Sequence, residues 1–212
     1  MKNNQYKKIV IIGKSQKFIK ELKKNYTFKK FDIIPWRQIQ FYSKKQTIKY
    51  DLVFICGFDF SIYLEDKKTF EKKNIFEILN LLKKITNKKT MLIYINTQKT
   101  NNKNYTFSRY RYAKQKLAYL IYKKFTNSLI FNSDLIKVNN DISINSNLIS
   151  KLIFYYFSKF DFIKTIDIKK LFQEIQSMLY LKKFPKQKNI RGIFLTIPRT
   201  QFIDRFLRLI WG

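Results

Sequence analysis

Four short stretches of this chain are apolar along almost their whole length. They are Lys8-Ile9-Val10-Ile11-Ile12-Gly13, Asp51-Leu52-Val53-Phe54-Ile55-Cys56-Gly57, Thr90-Met91-Leu92-Ile93-Tyr94-Ile95 and Ser128 to Phe131. A strand with one wet face alternates apolar and polar residues. A short run that is apolar throughout is covered on both faces, which is the pattern of a strand inside a parallel sheet. A further strand is expected at Phe31-Asp32-Ile33-Ile34, stopped by Pro35 because proline cannot donate to a ladder.

Between these runs the apolar period changes to that of helices. Phe18, Ile19 and Leu22 recur at helical spacing behind Ser15, a residue suited to cap a helix N-terminus. Phe70 to Ile85 reads as a helix with Phe70, Ile75, Ile78, Leu79, Leu82 and Ile85 on one side, and Thr106 to Phe125 as another. Strands alternating with helices predict a parallel sheet flanked by helices.

Beyond residue 135 the pattern is weaker. Asn139 to Asn147 is polar and loop-like, and Leu148 to Phe162 is an aromatic-rich helix or strand. Ile168 to Leu181 reads as a helix, Lys182 to Lys188 as a basic linker and Ile190 to Ile197 as a short strand. Thr200 to Trp211 reads as an amphipathic terminal helix that packs on its own domain, docks to a partner or lies at a membrane surface. The expected organisation is one main domain over 1–135 and a reduced, mostly helical part over 136–212 packed on it.

Composition narrows the function classes. Of 212 residues, 44 are basic and 14 acidic, giving a net charge of +30. Such a chain repels itself and attracts polyanions; nucleic acid is the commonest such partner, an anionic membrane surface the second. Most basic residues are lysines, and Ala, Gly, Pro, Val and Arg are scarce beside Lys, Asn, Ile, Phe and Tyr. This matches drift in an AT-rich genome, as in an organelle or a reduced bacterium, and implies an organelle, the mitochondrion first, or the cytoplasm of such an organism. With no His and a single Cys, Cys56, histidine acid–base chemistry, Ser-His-Asp and Cys-His arrangements and the usual zinc sites are excluded. No metal site is expected. No apolar run reaches membrane-spanning length, and no secretory signal or transit peptide is visible.

The stretch Ser108-Arg109-Tyr110-Arg111-Tyr112-Ala113-Lys114-Gln115-Lys116 holds a tyrosine four residues before a lysine twice, at Tyr110/Lys114 and Tyr112/Lys116. The strand–glycine–helix start, YDLVFICG, Asn74 within a helix, LIYINT and YRYAK follow one another in an order that resembles the extended short-chain dehydrogenase/reductase group, the NAD-dependent epimerase/dehydratase-like proteins. The resemblance covers roughly residues 6 to 133 and implies an α/β, Rossmann-like fold with a short helical C-terminal extension, in degenerate and truncated form.

It also implies roles. The pair would be a proton-transferring Tyr110 and a Lys114 that lowers its pKa and holds the nicotinamide ribose, with Thr97 orienting the substrate oxygen. Ala113 before Lys114 favours this register, because the family has a small residue there. Gly13 and Ser15 would lie in the phosphate-binding turn, Gly57 at the next strand end, and Arg37 near an adenosine ribose or its phosphate. The later glycines of the family's turn are replaced here by residues such as Gln16 and Lys20. Those side chains obstruct a dinucleotide, so no cofactor is expected unless the turn still works, in which case it is NAD(P).

The reading favoured by the sequence is therefore a structural, non-catalytic Rossmann-like protein of a ribonucleoprotein such as an organellar ribosome. RNA would bind through Lys29, Lys30, Arg109, Arg111, Lys123, Lys124, Lys182 and Lys183, with interleaved aromatics for stacking. The alternatives are a working NAD(P)-dependent epimerase or reductase, and a scaffold subunit of a respiratory complex peripheral to a membrane.

Overall fold

The structure is a computed structural model that describes residues 6–13, 16–25, 31–45, 48–62, 65–97, 109–133, 135–138, 141–142, 165–179 and 187–190. Each all-apolar run forms a strand: β1 is Ile9–Ile12, β3 Leu52–Ile55, β4 Met91–Thr97 and β5 Ser128–Ser133. With β2, Asp32–Ile34, and β9, Gln187–Ile190, they make one six-stranded sheet in the order β2-β1-β3-β4-β5-β9. All of its neighbours are parallel. This is the Rossmann-like sheet expected from the sequence. Relative to the 3-2-1-4-5-6 order of a dinucleotide-binding sheet, no strand outside β2 occurs among the described residues.

Period-2 geometry then sorts the apolar side chains into two layers. Val10, Ile12, Val53, Ile55, Leu92 and Tyr94 meet α2 (Ile39–Lys45), the long helical segment from 67 to 85, and α5 (Arg109–Lys124). The alternate residues, among them Ile9, Ile11, Leu52, Phe54, Ile93 and Phe131, meet α1 (Gln16–Asn25) and α6 (Ile168–Leu179). Both faces are covered, which is why these strands carry no polar alternation.

The segment from 67 to 85 is α3 (Lys67–Glu71), a π turn (Lys72–Phe76) and α4 (Glu77–Ile85). It starts before Phe70 because the Asp66 carboxylate caps it, accepting from the backbone N–H groups of Lys68 and Thr69. Within the π turn Asn74 is buried and reaches back to the segment after β3. Its Oδ1 accepts from Asp59 N–H at 2.9 Å and its Nδ2 donates to Asp59 C=O at 3.1 Å.

The described part of the chain after 135 is richer in strands than its sequence suggests. A small second sheet, ordered β7-β6-β8, contains β6 (Leu135–Val138), β7 (Asp141–Ile142) and β8 (Thr165–Asp167). β7 lies inside the stretch read as a loop, and β9 overlaps the stretch read as a linker. Neither Asp-Ile nor Gln-Lys-Asn-Ile has a strand pattern of its own; the ladder of β6 recruits the first and that of β5 the second. The helix read at 168–181 is α6, while 148–162 and 200–211 lie outside the described residues.

Candidate functional site

In an open parallel sheet, ligands bind beyond the carboxyl ends of the strands where the chain order reverses direction. Here β1 leads to β2 on one side and β3 pairs on the other, so the reversal falls at Gly13, just after β1, and at Cys56-Gly57, just after β3. The two ends are in close contact. Cys56 N–H donates to Ile12 C=O at 3.0 Å and Gly13 N–H donates to Ile34 C=O at 2.9 Å.

Neither glycine has room for a side chain. Gly13 has φ +125°, and a Cβ on it would sit 2.7 Å from the Gly57 nitrogen. A Cβ on Gly57 would meet the Trp36 ring at 2.4 Å. Packing between strand ends thus requires both glycines before any ligand is considered. Trp36, which follows β2 and Pro35, is buried against Gly57, and its indole Nε1–H has no hydrogen-bond partner. Next to it, Arg37 Nε donates to Asp59 Oδ1 at 3.1 Å. The same Oδ1 accepts from Ser61 N–H at 3.0 Å and Ser61 Oγ–H at 2.6 Å. Partial burial works against the Asp59 charge, but the bonds from Ser61 and Arg37 outweigh it and hold the carboxyl below its ordinary range. Ser15 lies outside the described residues.

The ends of β4 and β5 follow those of β1 and β3 along the same edge of the sheet. Thr97 is the last residue of β4, in register with Ser133 of β5. Beside them, buried Asn96 donates through Nδ2 to Asn132 Oδ1 at 2.8 Å, and Ser133 Oγ–H donates to Asn96 C=O at 3.2 Å. Lys114 enters from α5. It is buried, donates through Nζ to Ile95 C=O at 2.7 Å and lies over the Tyr94 ring at 4.6 Å. Burial lowers its pKa to about 8, with Cys56 pulling it back up. Burial pushes the Cys56 thiol to about 12, against the pull of Lys114.

Tyr110 lies one turn earlier on the same face of α5, but its environment is aromatic. Its ring packs against Phe58 at 4.8 Å, edge to face, and stacks on Phe60 at 5.5 Å. Burial raises the phenol to about 12, opposed by Arg111. The phenol is therefore neutral at ordinary pH.

The second pair has the closer contact. Lys116 Nζ donates to Tyr112 Oη at 2.9 Å and to Glu71 Oε2 at 2.9 Å, while the Tyr112 hydroxyl donates to Glu71 Oε1. Burial opposes the Glu71 charge, but these two donors more than offset it and keep the carboxyl below its ordinary range. This network lies on the α3 side of α5, away from the Ile95 carbonyl. Its spacing is visible in the sequence. Its third member, Glu71, is 41 residues before Tyr112 and carries no local signal.

The basic residues expected to bind nucleic acid do not share one place on α5. Arg109 and Arg111 are in its first turn, Lys123 and Lys124 in its last, about 20 Å apart at 1.5 Å per residue. Arg109 Nη1 donates to Glu65 C=O at 2.7 Å, Arg111 is half-buried, and Lys123 lies over the Tyr119 ring at 4.8 Å. Lys29, Lys30, Lys182 and Lys183 lie outside the described residues. Among the described residues no group of three His, Cys, Asp or Glu could hold a metal ion, and no helix is long and apolar enough to cross a membrane.

The fold is that of a Rossmann-like α/β protein, with Gly13, Gly57, Thr97 and Lys114 at the carboxyl end of its parallel strands. No protein-family model matches the sequence, and no curated protein matches it. Solved structures do match in shape. A dTDP-4-dehydrorhamnose reductase from Bacillus anthracis in complex with NADP superposes with a TM-score of 0.60 at 12% identity, over 91% of this chain and 77% of that one. The ADP-L-glycero-D-manno-heptose-6-epimerase of Helicobacter pylori gives 0.58 at 11% identity, over 87% and 76%. A GDP-L-fucose synthetase from Naegleria fowleri gives 0.56 at 11% identity, over 87% and 76%. At such identities the likeness is one of fold.

Proposed function

We propose that this chain is an NAD(P)-dependent oxidoreductase of the extended short-chain dehydrogenase type, acting on a carbonyl or hydroxyl group of a polar substrate. The observation that carries this reading is the buried Lys114 ammonium at the carboxyl end of β4, beside the two side-chain-free strand ends at Gly13 and Gly57. The similarity in fold to a dTDP-4-dehydrorhamnose reductase in complex with NADP supports it, and weighs against the expectation of a non-catalytic protein without cofactor.

The residues fit a dinucleotide in part. Backbone without side chains stands at the strand reversal, an indole N–H there lacks an acceptor, and a guanidinium stands after β2. Gly13, Gly57 and Arg37 would hold the adenosine and phosphate side, with Lys114 on the nicotinamide ribose. A bound nicotinamide would exchange hydride with the substrate carbon. Thr97 would orient the substrate oxygen. Tyr110, neutral at ordinary pH, would hand its proton to the oxygen as charge develops there during reduction and take it back in the reverse reaction. Lys114, whose pKa is about 8, would carry a positive charge for the nicotinamide ribose at neutral pH and lose it above.

Titration of the full chain with NADH and NADPH by cofactor fluorescence tests the reading. Binding that is lost in Lys114→Met supports it. Turnover of a carbonyl substrate lost in Tyr110→Phe and kept in Tyr112→Phe assigns the pair, and the opposite pattern moves the chemistry to Tyr112 and Lys116. A chain that binds neither dinucleotide ends the proposal.

A second reading rests on its own observation, the net charge of +30. In it the chain is a structural component of a ribonucleoprotein, held by phosphate contacts. Co-sedimentation with RNA that falls steeply between low and moderate salt is the expected behaviour; salt-independent or absent association contradicts it.

A further inference from the structure

We infer that the outer surface of the helical layer made by α2, residues 67–85 and α5 binds an unpaired nucleic-acid strand, with bases stacked on exposed rings and phosphates held by lysines. This rests on the ribonucleoprotein reading above and adds which face makes the contacts and which form of nucleic acid it takes.

The two helical layers differ in what they show to water. Phe41 on α2, Phe76 in the π turn and Tyr119 and Tyr122 on α5 are exposed, whereas no large apolar side chain is exposed on α1 or α6 among the described residues. Codon drift would scatter aromatic residues over both layers alike. The ring-bearing layer is also basic, with fourteen basic residues and two acidic ones in 39–45, 67–85 and 109–124. Both acids are already in ion pairs, Glu71 with Lys116 at 2.9 Å and Glu77 with Lys73 at 3.1 Å. No carboxylate on this layer is therefore free to repel a phosphate.

Rings and ammonium groups alternate. On α5, Tyr112, Lys116, Tyr119 and Lys123 follow at steps of four, three and four, so they form one stripe about 16 Å long. Lys123 Nζ lies 4.8 Å from the Tyr119 ring centroid. Lys116 Nζ lies 5.6 Å from that of Phe76, in the π turn packed beside α5. On α2, which packs against α4, Lys45 Nζ lies 4.4 Å from the Phe41 ring. A cation over an exposed ring is held more weakly than a stacked base. A nucleotide can thus take the ring and leave the ammonium to its phosphate.

This pattern selects among polyanions. Bases in a duplex are already stacked on one another, so only an unpaired strand can use the rings. Stacking and phosphate contacts do not involve the 2′-hydroxyl, so RNA and DNA strands are equivalent ligands here. A second copy would bring the same lysines face to face. A membrane-surface helix presents one continuous apolar face, whereas lysines separate these rings and no aliphatic side chain is exposed on these helices.

The test titrates the full chain with a short labelled single-stranded oligonucleotide, with the same sequence as a duplex, and with anionic phospholipid vesicles. Strand and duplex are measured in one preparation, so their ratio does not depend on the fraction of protein that is folded. The double variant Phe41→Ala/Tyr119→Ala is expected to weaken strand binding by about 5- to 100-fold and to leave duplex binding unchanged. Phe41→Tyr/Tyr119→Phe, which keeps both rings, is expected to bind the strand as the wild type does. Lys123→Met should lower the salt slope of strand binding by about one, and Lys20→Met on α1 should leave it unchanged. Strand binding that survives loss of both rings, or a slope that falls equally in Lys20→Met, overturns this inference and leaves the ribonucleoprotein reading intact. Tighter binding to the vesicles, lost with the two rings, also overturns it and assigns the face to a membrane. Binding of neither strand nor duplex overturns both.

Discussion

On α5 the side that meets the sheet and the side that meets α3 carry the same residue types at the same spacing, and their surroundings make them different chemical groups. Lys114 is buried with a carbonyl and an aromatic ring for neighbours, and its pKa falls to about 8. Lys116, two residues on, is a third exposed and held by Glu71 and Tyr112. Burial alone would lower its pKa, but the hydroxyl and the carboxylate beside it raise it. A tyrosine four residues before a lysine is therefore no more than a spacing. Desolvation without a counter-charge makes a lysine that titrates near physiological pH, and a carboxylate at hydrogen-bond distance makes a permanent ion.

The two sides can be pulled apart by measurement. The largest contrast is in packing. Ile121→Ala, at a fully buried position between α5 and the sheet, is expected to lower the unfolding free energy by about 2–5 kcal/mol in urea titration. Tyr119→Ala on the exposed side is expected to change it by less than about 0.5 kcal/mol. Equal losses would mean that the outer side of α5 is covered in solution.

Next comes the pH dependence of Lys114. Its folded pKa is about 8 against an ordinary 10.5, so between those values the unfolded chain holds a proton that the folded chain does not. Stability then rises with pH from about 8 upward, by at most about 1.4 kcal/mol per pH unit. Cys56 opposes this above 9, because its folded pKa of about 12 leaves the unfolded chain with fewer protons there. The net gain is thus confined to roughly pH 8 to 9. Urea titrations at these two pH values should show it in the wild type and not in Lys114→Met; the same slope in both would place the titrating group elsewhere.

The smallest effect is on the outer side. A double-mutant cycle between Glu71→Gln and Lys116→Met is expected to give a coupling of about 0.2–1 kcal/mol that shrinks with added salt. A coupling several times larger and indifferent to salt would make this pair as buried as Lys114.

The apolar runs that became β1, β3, β4 and β5 were legible because a strand covered on both faces needs little from its neighbours to be recognised. The same holds for the helical stripe ending at Ile85. Gly13 and Gly57 were legible as strand ends, though what requires them is mutual contact and the Trp36 ring rather than a phosphate. What escaped detection depends on residues far apart in the chain. Arg37 and Asp59 are 22 positions apart and meet because the segments after β2 and β3 converge past the end of the strand between them, β1. β9 and β7 are strands because a finished neighbour offers them a ladder. The π turn at Lys72–Phe76 has no marker beyond Asn74, whose amide is satisfied by the backbone of Asp59. The separation of Lys114 from Tyr112 and Lys116 is a matter of which way α5 is rotated, and both registers fit the spacing.

The two edges of the main sheet have a consequence for how this chain behaves in a crowded solution. Four strands of nearly unbroken apolar sequence are a template for uncontrolled growth by strand addition. Among the described residues, though, the sheet ends on one side in the three residues of β2 and on the other in the four residues of β9, Gln-Lys-Asn-Ile. Short edges with a lysine give a second copy little to pair with, and a charge of +30 on each copy keeps them apart. The protection is partly electrostatic, so high salt or a polyanion that screens the lysines should weaken it.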